Sequence, residues 1–340
     1  MFFDSVRDVY KNYDNFLIDV FGVLFDGSEF YDGVLDLLKD IKNDGKKIII
    51  LSNATLSTRE VEEMYSLKGL LRDIHYDEYI TSGEAFRYEL EEGFKNIISM
   101  IGYTPKTYTQ IFQKQRVFEG IKNLEYVDNI KFADFVYVGI PRIDGRDIVV
   151  DNLSSNEGYS IKLEEIFDMN WKNIEYFYRL HEILEVCLKY NKILVVTNPD
   201  LFAHSSVHDE NNMKDRNALV IRQGGIAEYY ERMGGNVIYF GKPYSPIYGY
   251  ASRYISTEDK KKIVMIGDTP WTDSLGGNIM GYDTILTLTG ISNEFIKNMH
   301  KNIDIKDAIK NLLTNISSKL MHDKLKEYSV IPTHIVNKFA

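Results

Sequence analysis

Short, unbroken apolar runs, each closed by a polar residue or a glycine, constrain this chain most. The first is Phe16-Leu17-Ile18-Asp19-Val20, followed by Gly22; the second is Lys47-Ile48-Ile49-Ile50-Leu51, running into Ser52-Asn53-Ala54-Thr55. A strand with one wet face alternates apolar with polar residues. A continuous run of this length predicts a strand buried on both faces, as in a parallel sheet. Between the two runs, Val34, Leu35, Leu38 and Ile41 recur at helical spacing and Gly45 closes the stripe. Strand, helix and strand in succession make a βαβ unit, so the chain is expected to build an α/β fold on a parallel sheet. A second helix, from about Thr58 to Lys68, leads to a further strand at Glu78-Tyr79-Ile80-Thr81-Ser82.

The same pattern returns late in the chain. Val237-Ile238-Tyr239-Phe240 runs into Gly241-Lys242-Pro243, Ile263-Val264-Met265-Ile266 into Gly267-Asp268-Thr269-Pro270, and Thr284-Ile285-Leu286-Thr287-Leu288 forms a third late run. Between the blocks the texture changes. Strands are expected at Phe135–Val138 and Ile193–Val196, the latter closed by Thr197-Asn198-Pro199-Asp200, while about 150–180 is rich in Asn, Asp, Glu and aromatic residues. The expected organisation is a core of residues 1–83 and 237–340 interrupted by an inserted domain of residues 84–236. A charged helix and an edge strand at Tyr328-Ser329-Val330-Ile331-Pro332 are expected to close the chain.

Composition narrows the function. Fifty acidic against forty basic residues give a net charge of −10, which argues against a nucleic-acid partner. The single cysteine, Cys187, excludes an internal disulfide framework and reads as a small core residue. No apolar run reaches the roughly 18–20 residues of a membrane span. Charges interrupt the first eight residues, so a signal-peptide core is not expected and a cytoplasmic protein is. A dinucleotide-binding reading fails because Gly22 and Gly27 lack the GxGxxG spacing.

If the strands are neighbours in one sheet, four polar clusters converge at their carboxyl ends, where open α/β sheets bind ligands. These are Asp19, Ser52-Asn53, Lys242, and Asp268 with Asp273. Phosphoryl transfer needs such parts: an oxygen nucleophile, donors for the non-bridging oxygens, and a metal held by carboxylates. Oxygen ligands beside a phosphate point to Mg²⁺. Each residue also has an ordinary structural role open to it. Asp19 could cap a turn, Lys242 could be a solvated loop cation, and Asp268 and Asp273 could cap and begin a helix.

Asp19-Val20-Phe21-Gly22-Val23-Leu24-Phe25-Asp26-Gly27, Leu51-Ser52-Asn53, Gly241-Lys242-Pro243 and Gly267-Asp268-Thr269-Pro270-Trp271-Thr272-Asp273 together resemble the four ordered motifs of haloacid-dehalogenase-type phosphatases. Val196-Thr197-Asn198-Pro199-Asp200 resembles the cap signature of the branch that includes NagD and p-nitrophenyl phosphatases. The resemblance implies a Rossmann-like, doubly wound parallel-sheet core with an inserted α/β cap of the C2 type. By the same resemblance Asp19 is the nucleophile that becomes an aspartyl-phosphate, acting on a small phosphorylated metabolite. Ser52 and Asn53 hold the phosphoryl group, and Lys242 neutralises it and orients Asp19. Asp19, the backbone carbonyl of Phe21, Asp268 and Asp273 hold Mg²⁺, while Asn198 and Asp200 face the substrate from the cap. A homodimer through the cap is the family's habit.

One position departs from the pattern. The family places a second aspartate, its general acid and base, two residues after the nucleophile, and here that position is Phe21. Such a group is typically worth about 10²–10⁴ in rate. Asp26 is not expected to replace it, because Gly27 marks a turn there. Aryl and acyl phosphates, whose leaving groups need little protonation, are the substrates expected to suffer least. The alternative is a phosphate- and metal-binding protein impaired in turnover. His204 and His208 share a helical spacing but lack the glutamate of HExxH, and Tyr229 and Tyr230 are candidates to line a cap.

Overall fold

The computed structural model describes residues 1–143, 146–150, 160–161, 178–209, 214–298, 304–321 and 323–340. Contacts divide the chain into two units, one of Met1–Ser52, Ser57–Thr81 and Lys242–Ala340, the other of Asn53–Leu56 and Ser82–Gly241.

The first unit is built on a seven-stranded sheet in which every pairing is parallel. Its order is Phe2–Ser5, His334–Lys338, Asp283–Thr287, Ile263–Gly267, Asn15–Ile18, Lys47–Ser52 and Glu78–Thr81. The apolar runs explain the arrangement. Phe16, Leu17, Ile18, Ile48, Ile49 and Ile50 are fully buried, each contributing roughly 1.5–3 kcal/mol by leaving water. From Asn15–Ile18 the chain proceeds outward through Lys47–Ser52 to Glu78–Thr81, and from Ile263–Gly267 it proceeds the other way. The adjacent carboxyl ends of Asn15–Ile18 and Ile263–Gly267 therefore form a topological switch point, the place where such sheets bind ligands.

The helix Val34–Asn43 buries Val34, Leu37, Leu38 and Ile41 on one stripe, and Gly45 follows it with a positive φ of 74°. The helix Thr58–Ser66 starts from a capping box: Ser57 Oγ accepts from the Glu60 amide at 3.3 Å and Glu60 accepts from the Ser57 amide at 2.9 Å. The expected closing strand at Tyr328–Pro332 is corrected. The strand is His334–Lys338, beyond Pro332, and it lies one place in from the edge because Phe2–Ser5 pairs outside it.

The second unit contains a five-stranded parallel sheet ordered Asn236–Tyr239, Ile193–Val196, Phe135–Val138, Thr107–Ile111 and Glu125–Tyr126. Val237–Phe240 was expected to join the late core strands. Its residues instead pair with Ile193–Val196, and Phe240 packs among Phe86, Phe135 and Tyr137. Buried parallel strands have interchangeable compositions, so the run itself does not say which sheet it enters. A second sheet carries the antiparallel hairpin Phe202–Asp209 with Lys214–Ile221. His204 and His208 thus lie on a strand, so the helical spacing does not apply. Most of 150–180 lies outside the described residues. Cys187 is buried, and burial pushes its thiol up to about 12. Among the described residues no helix is long and apolar enough to cross a membrane.

Candidate active site

Asp19 is the first residue beyond its strand, with its amide donating to the Ile266 carbonyl at 2.9 Å. This bond fixes the nucleophile candidate to the neighbouring strand, whose own first loop residue is Asp268. Lys242 Nζ lies 2.7 Å from Asp19 Oδ1 and 2.8 Å from Asp273 Oδ1. The lysine side chain is only 2% exposed. Burial alone would lower its pKa, but the two carboxylates outweigh burial and raise it, so the ammonium stays charged. The solvated-cation alternative for Lys242 is thereby removed.

Asp273 sits in a wide helical turn, Pro270–Ser274, that leads into the helix Leu275–Met280. Its Oδ2 accepts from the Thr269 amide at 3.1 Å. Burial and the charge of Asp19 push its carboxyl up to about 7 despite Lys242. Asp268 is held differently. Oδ1 accepts from Thr269 Oγ1 at 3.0 Å, and Oδ2 accepts from the Ile291 amide at 2.6 Å, in the first turn of the helix Gly290–Asn298. Gly22 and Gly290 both have positive φ, 80° and 48°, and a Cβ on either would overlap the Asp268 carboxylate. Thr289 Oγ1 donates to the Gly22 carbonyl and Ser292 Oγ to the Asp268 carbonyl, tying the loops together. Burial, with the charges of Asp19 and Asp273, raises the Asp268 carboxyl strongly.

Among the described residues, Asp19, Asp268 and Asp273 each offer an oxygen, all within 4.8 Å of one another. Lys242 supplies one positive charge against three carboxylates, and the raised values of Asp268 and Asp273 express that imbalance. A divalent cation would correct it. An all-oxygen donor set suits a hard ion, for which metal–oxygen bonds of about 2.1 Å (Mg²⁺) or 2.4 Å (Ca²⁺) make a cluster of this size. The residues fit such an ion.

Ser52 ends the strand next to that of Asp19, is 3% exposed, and hydrogen-bonds the fully buried Tyr79 hydroxyl. Asn53, which belongs to the second unit, donates to Asp200 Oδ1 at 2.8 Å. Asn198 Oδ1 accepts from the Asp200 amide at 2.9 Å, the side-chain turn expected of an Asn-Pro-Asp sequence. Tyr229 and Tyr230 are core residues instead of lining ones; their hydroxyls bond His181 Nδ1 and the Lys192 carbonyl.

Phe21 is 43% exposed, and its ring meets Phe25 edge-on at 5.7 Å. Asp26 is bound into a turn by Ser28 and Glu29, as Gly27 foretold. Sequence reasoning did not single out Thr269, Ile291, Gly290 or Tyr79. The only hint was Leu288-Thr289-Gly290 after a strand, and its partner Gly22 lies 267 residues from Thr289.

The haloacid dehalogenase-like hydrolase model matches residues 16–113 and the HAD-hydrolase-like model residues 239–312, the two segments that carry Asp19, Ser52, Lys242, Asp268 and Asp273. Phosphoglycolate phosphatase 2 of Arabidopsis thaliana is 24% identical over 293 residues, 85% of this chain and 87% of that protein. A haloacid dehalogenase-like hydrolase from Brucella suis 1330 superposes with a TM-score of 0.65 at 19% identity, covering 99% of each chain. The p-nitrophenyl phosphatase from Archaeoglobus fulgidus superposes at 0.56 with 18% identity, covering 96% of this chain and 97% of its own. With the motif-bearing segments matched in order and the fold shared end to end, the chain belongs to the haloacid dehalogenase-like hydrolases.

Proposed function

We propose that this chain is a Mg²⁺-dependent phosphatase that acts on a small phosphorylated metabolite through an aspartyl-phosphate on Asp19. The observation that carries the reading is the seating of Asp19 at the switch point, 2.7 Å from a buried ammonium and beside two further buried carboxylates. Asp19, Asp268, Asp273 and the Phe21 carbonyl would hold the ion. When bound, Mg²⁺ supplies the positive charge that lets a carboxylate approach a phosphate dianion.

The chain's own groups supply the rest. Lys242 points Asp19 Oδ1 by direct contact, leaving the other oxygen to attack phosphorus, and carries charge for the transferring group. Ser52 and the amides after it would donate to phosphoryl oxygens, a role supported by the Tyr79 hydroxyl that bonds the serine. Thr269 and the Ile291 amide keep Asp268 in one orientation. In this reading the second unit is the cap, Asn198 and Asp200 read the part of the substrate beyond the phosphate, and its surface is where two copies would pair. The phosphatases among the relatives support the activity, and the carboxylate cluster supports the metal.

The test is Asp19→Asn with p-nitrophenyl phosphate and Mg²⁺. The variant keeps the shape and loses the nucleophile, so release of nitrophenol should stop. Turnover that persists unchanged would remove Asp19 from this role.

A further inference from the structure

Breaking a P–O bond leaves an electron pair on the departing oxygen. An alkoxide must be given a proton as it leaves. A carboxylate, whose acid has a pKa near 4, departs as it is, and a phenolate with a pKa of about 10 lies between. The group that would deliver this proton is decided by what surrounds Asp19.

Phe21 stands where the proton carrier is expected, and its ring is held. Phe25, only 4% exposed, contacts it edge-on at 5.7 Å and is itself packed against Phe30 at 5.3 Å and Tyr65 at 5.2 Å. These rings form an edge-to-face aromatic cluster whose outer member is the half-exposed Phe21. Two other charged groups nearby are committed. Asp26 Oδ1 accepts from the Ser28 amide, Ser28 Oγ and the Glu29 amide at 2.7, 3.0 and 2.8 Å. Lys242 bridges Asp19 and Asp273. The Tyr65 hydroxyl is buried, and burial together with the charge of Asp19 raises its pKa, which makes it a weak proton donor. At position 21 itself, hydrocarbon stands in place of the acid.

We propose that Phe21 restricts this enzyme to phosphate donors whose leaving oxygen departs without a proton, mixed carboxylic–phosphoric anhydrides and acidic aryl phosphates, and disfavours alkyl phosphates. The inference rests on Asp19 being the nucleophile. In the first step an Asp19 oxygen bonds to phosphorus and the P–O bond to the leaving group breaks. The leaving group keeps the electron pair and goes as an anion. In the second, water attacks the same phosphorus, the bond to Asp19 breaks, and the products are the Asp19 carboxylate and dihydrogen phosphate, which then equilibrates with solvent. The exposed face of the Phe21 ring would lie against an apolar or aromatic leaving group.

The experiment is a single-turnover leaving-group series with Mg²⁺: acetyl phosphate, p-nitrophenyl phosphate, phenyl phosphate and glycerol phosphate, with wild type, Phe21→Asp, Phe21→Leu and Asp19→Asn. In wild type, acetyl and nitrophenyl phosphate should outrun glycerol phosphate by more than about 10², the usual worth of a general acid. Phe21→Asp should raise the glycerol phosphate rate by a similar factor and so narrow the ratio between the nitrophenyl and glycerol phosphate rates. Phe21→Leu, which keeps the site apolar, should keep the discrimination and covers the case in which the aspartate variant misfolds. Intact mass of acid-quenched wild type should show a phosphorylated protein. Glycerol phosphate turned over as fast as nitrophenyl phosphate, in a reaction that Asp19→Asn abolishes, would overturn the inference and leave the nucleophile standing. Activity that survives Asp19→Asn would instead overturn the reading beneath it. A folded protein inert towards every donor in the series would overturn the inference too.

Discussion

Replacing Lys242 by methionine removes a buried cation and keeps most of its volume. The ammonium lies 2.7 Å from Asp19 and 2.8 Å from Asp273. At an effective dielectric constant near 20, each contact amounts to roughly 6 kcal/mol of Coulomb attraction. Desolvation of the ammonium offsets much of this, and removing one partner of a buried pair costs about 3–5 kcal/mol in practice. That is a large share of a typical stability of about 5–15 kcal/mol. The cost should depend on pH in a definite direction. The folded value of Asp273, about 7, lies above its ordinary value. Its protonated form therefore favours the fold, and that contribution is lost as pH rises through the folded value. Losing Lys242 moves the folded value higher still, so the variant's deficit should widen from pH 6 to pH 8. Urea unfolding of wild type and Lys242→Met in a chelator at both pH values measures it. A deficit below about 1 kcal/mol at pH 8, or one equal at the two pH values, would refute the electrostatic reasoning.

Gly290→Ala should lower Mg²⁺ affinity by at least about tenfold in calorimetric titration, because its Cβ displaces the Asp268 carboxylate and its φ is 48°. Gly249→Ala, in a helix with open space around the added methyl, should be neutral or stabilising by up to about 1 kcal/mol. Ser57→Ala removes a cap acceptor and should cost about 1 kcal/mol in urea unfolding, with activity unchanged. His75 and His334 are buried and depressed below the usual 6.5, chiefly by burial. Their neutral forms favour the fold above that value, and the contribution is lost as pH falls through the folded values. The urea midpoint should therefore drop between pH 7.5 and pH 5, and drop less in His75→Gln.

The parallel sheet was legible because a strand covered on both faces must be apolar throughout, and Phe16–Ile18 and Ile48–Leu51 are. The polar residue that follows such a run lies at the sheet edge, which brought Asp19 and Asp268 into view together. The runs do not encode strand order, and Val237–Phe240 reads like any buried strand although it serves the second unit. The strand Phe2–Ser5 was hidden because it is short and lies at an edge, where Phe2 and Asp4 meet solvent and break the apolar run. The support of Asp268 was hidden for another reason. Gly22 meets Thr289 across 267 residues of chain and Ile291 reaches Asp268 across 23, and no local pattern signals a contact of either kind.

The account turns on Asp19 carrying the phosphoryl group. Wild type mixed with p-nitrophenyl phosphate and Mg²⁺, quenched in acid within milliseconds and mapped by peptide mass, tests it most directly. Phosphate on the peptide containing Asp19, appearing in step with a burst of nitrophenol and absent from Asp19→Asn, is the expected result. Nitrophenol released with no phosphopeptide, or with the phosphate on another residue, would contradict the account.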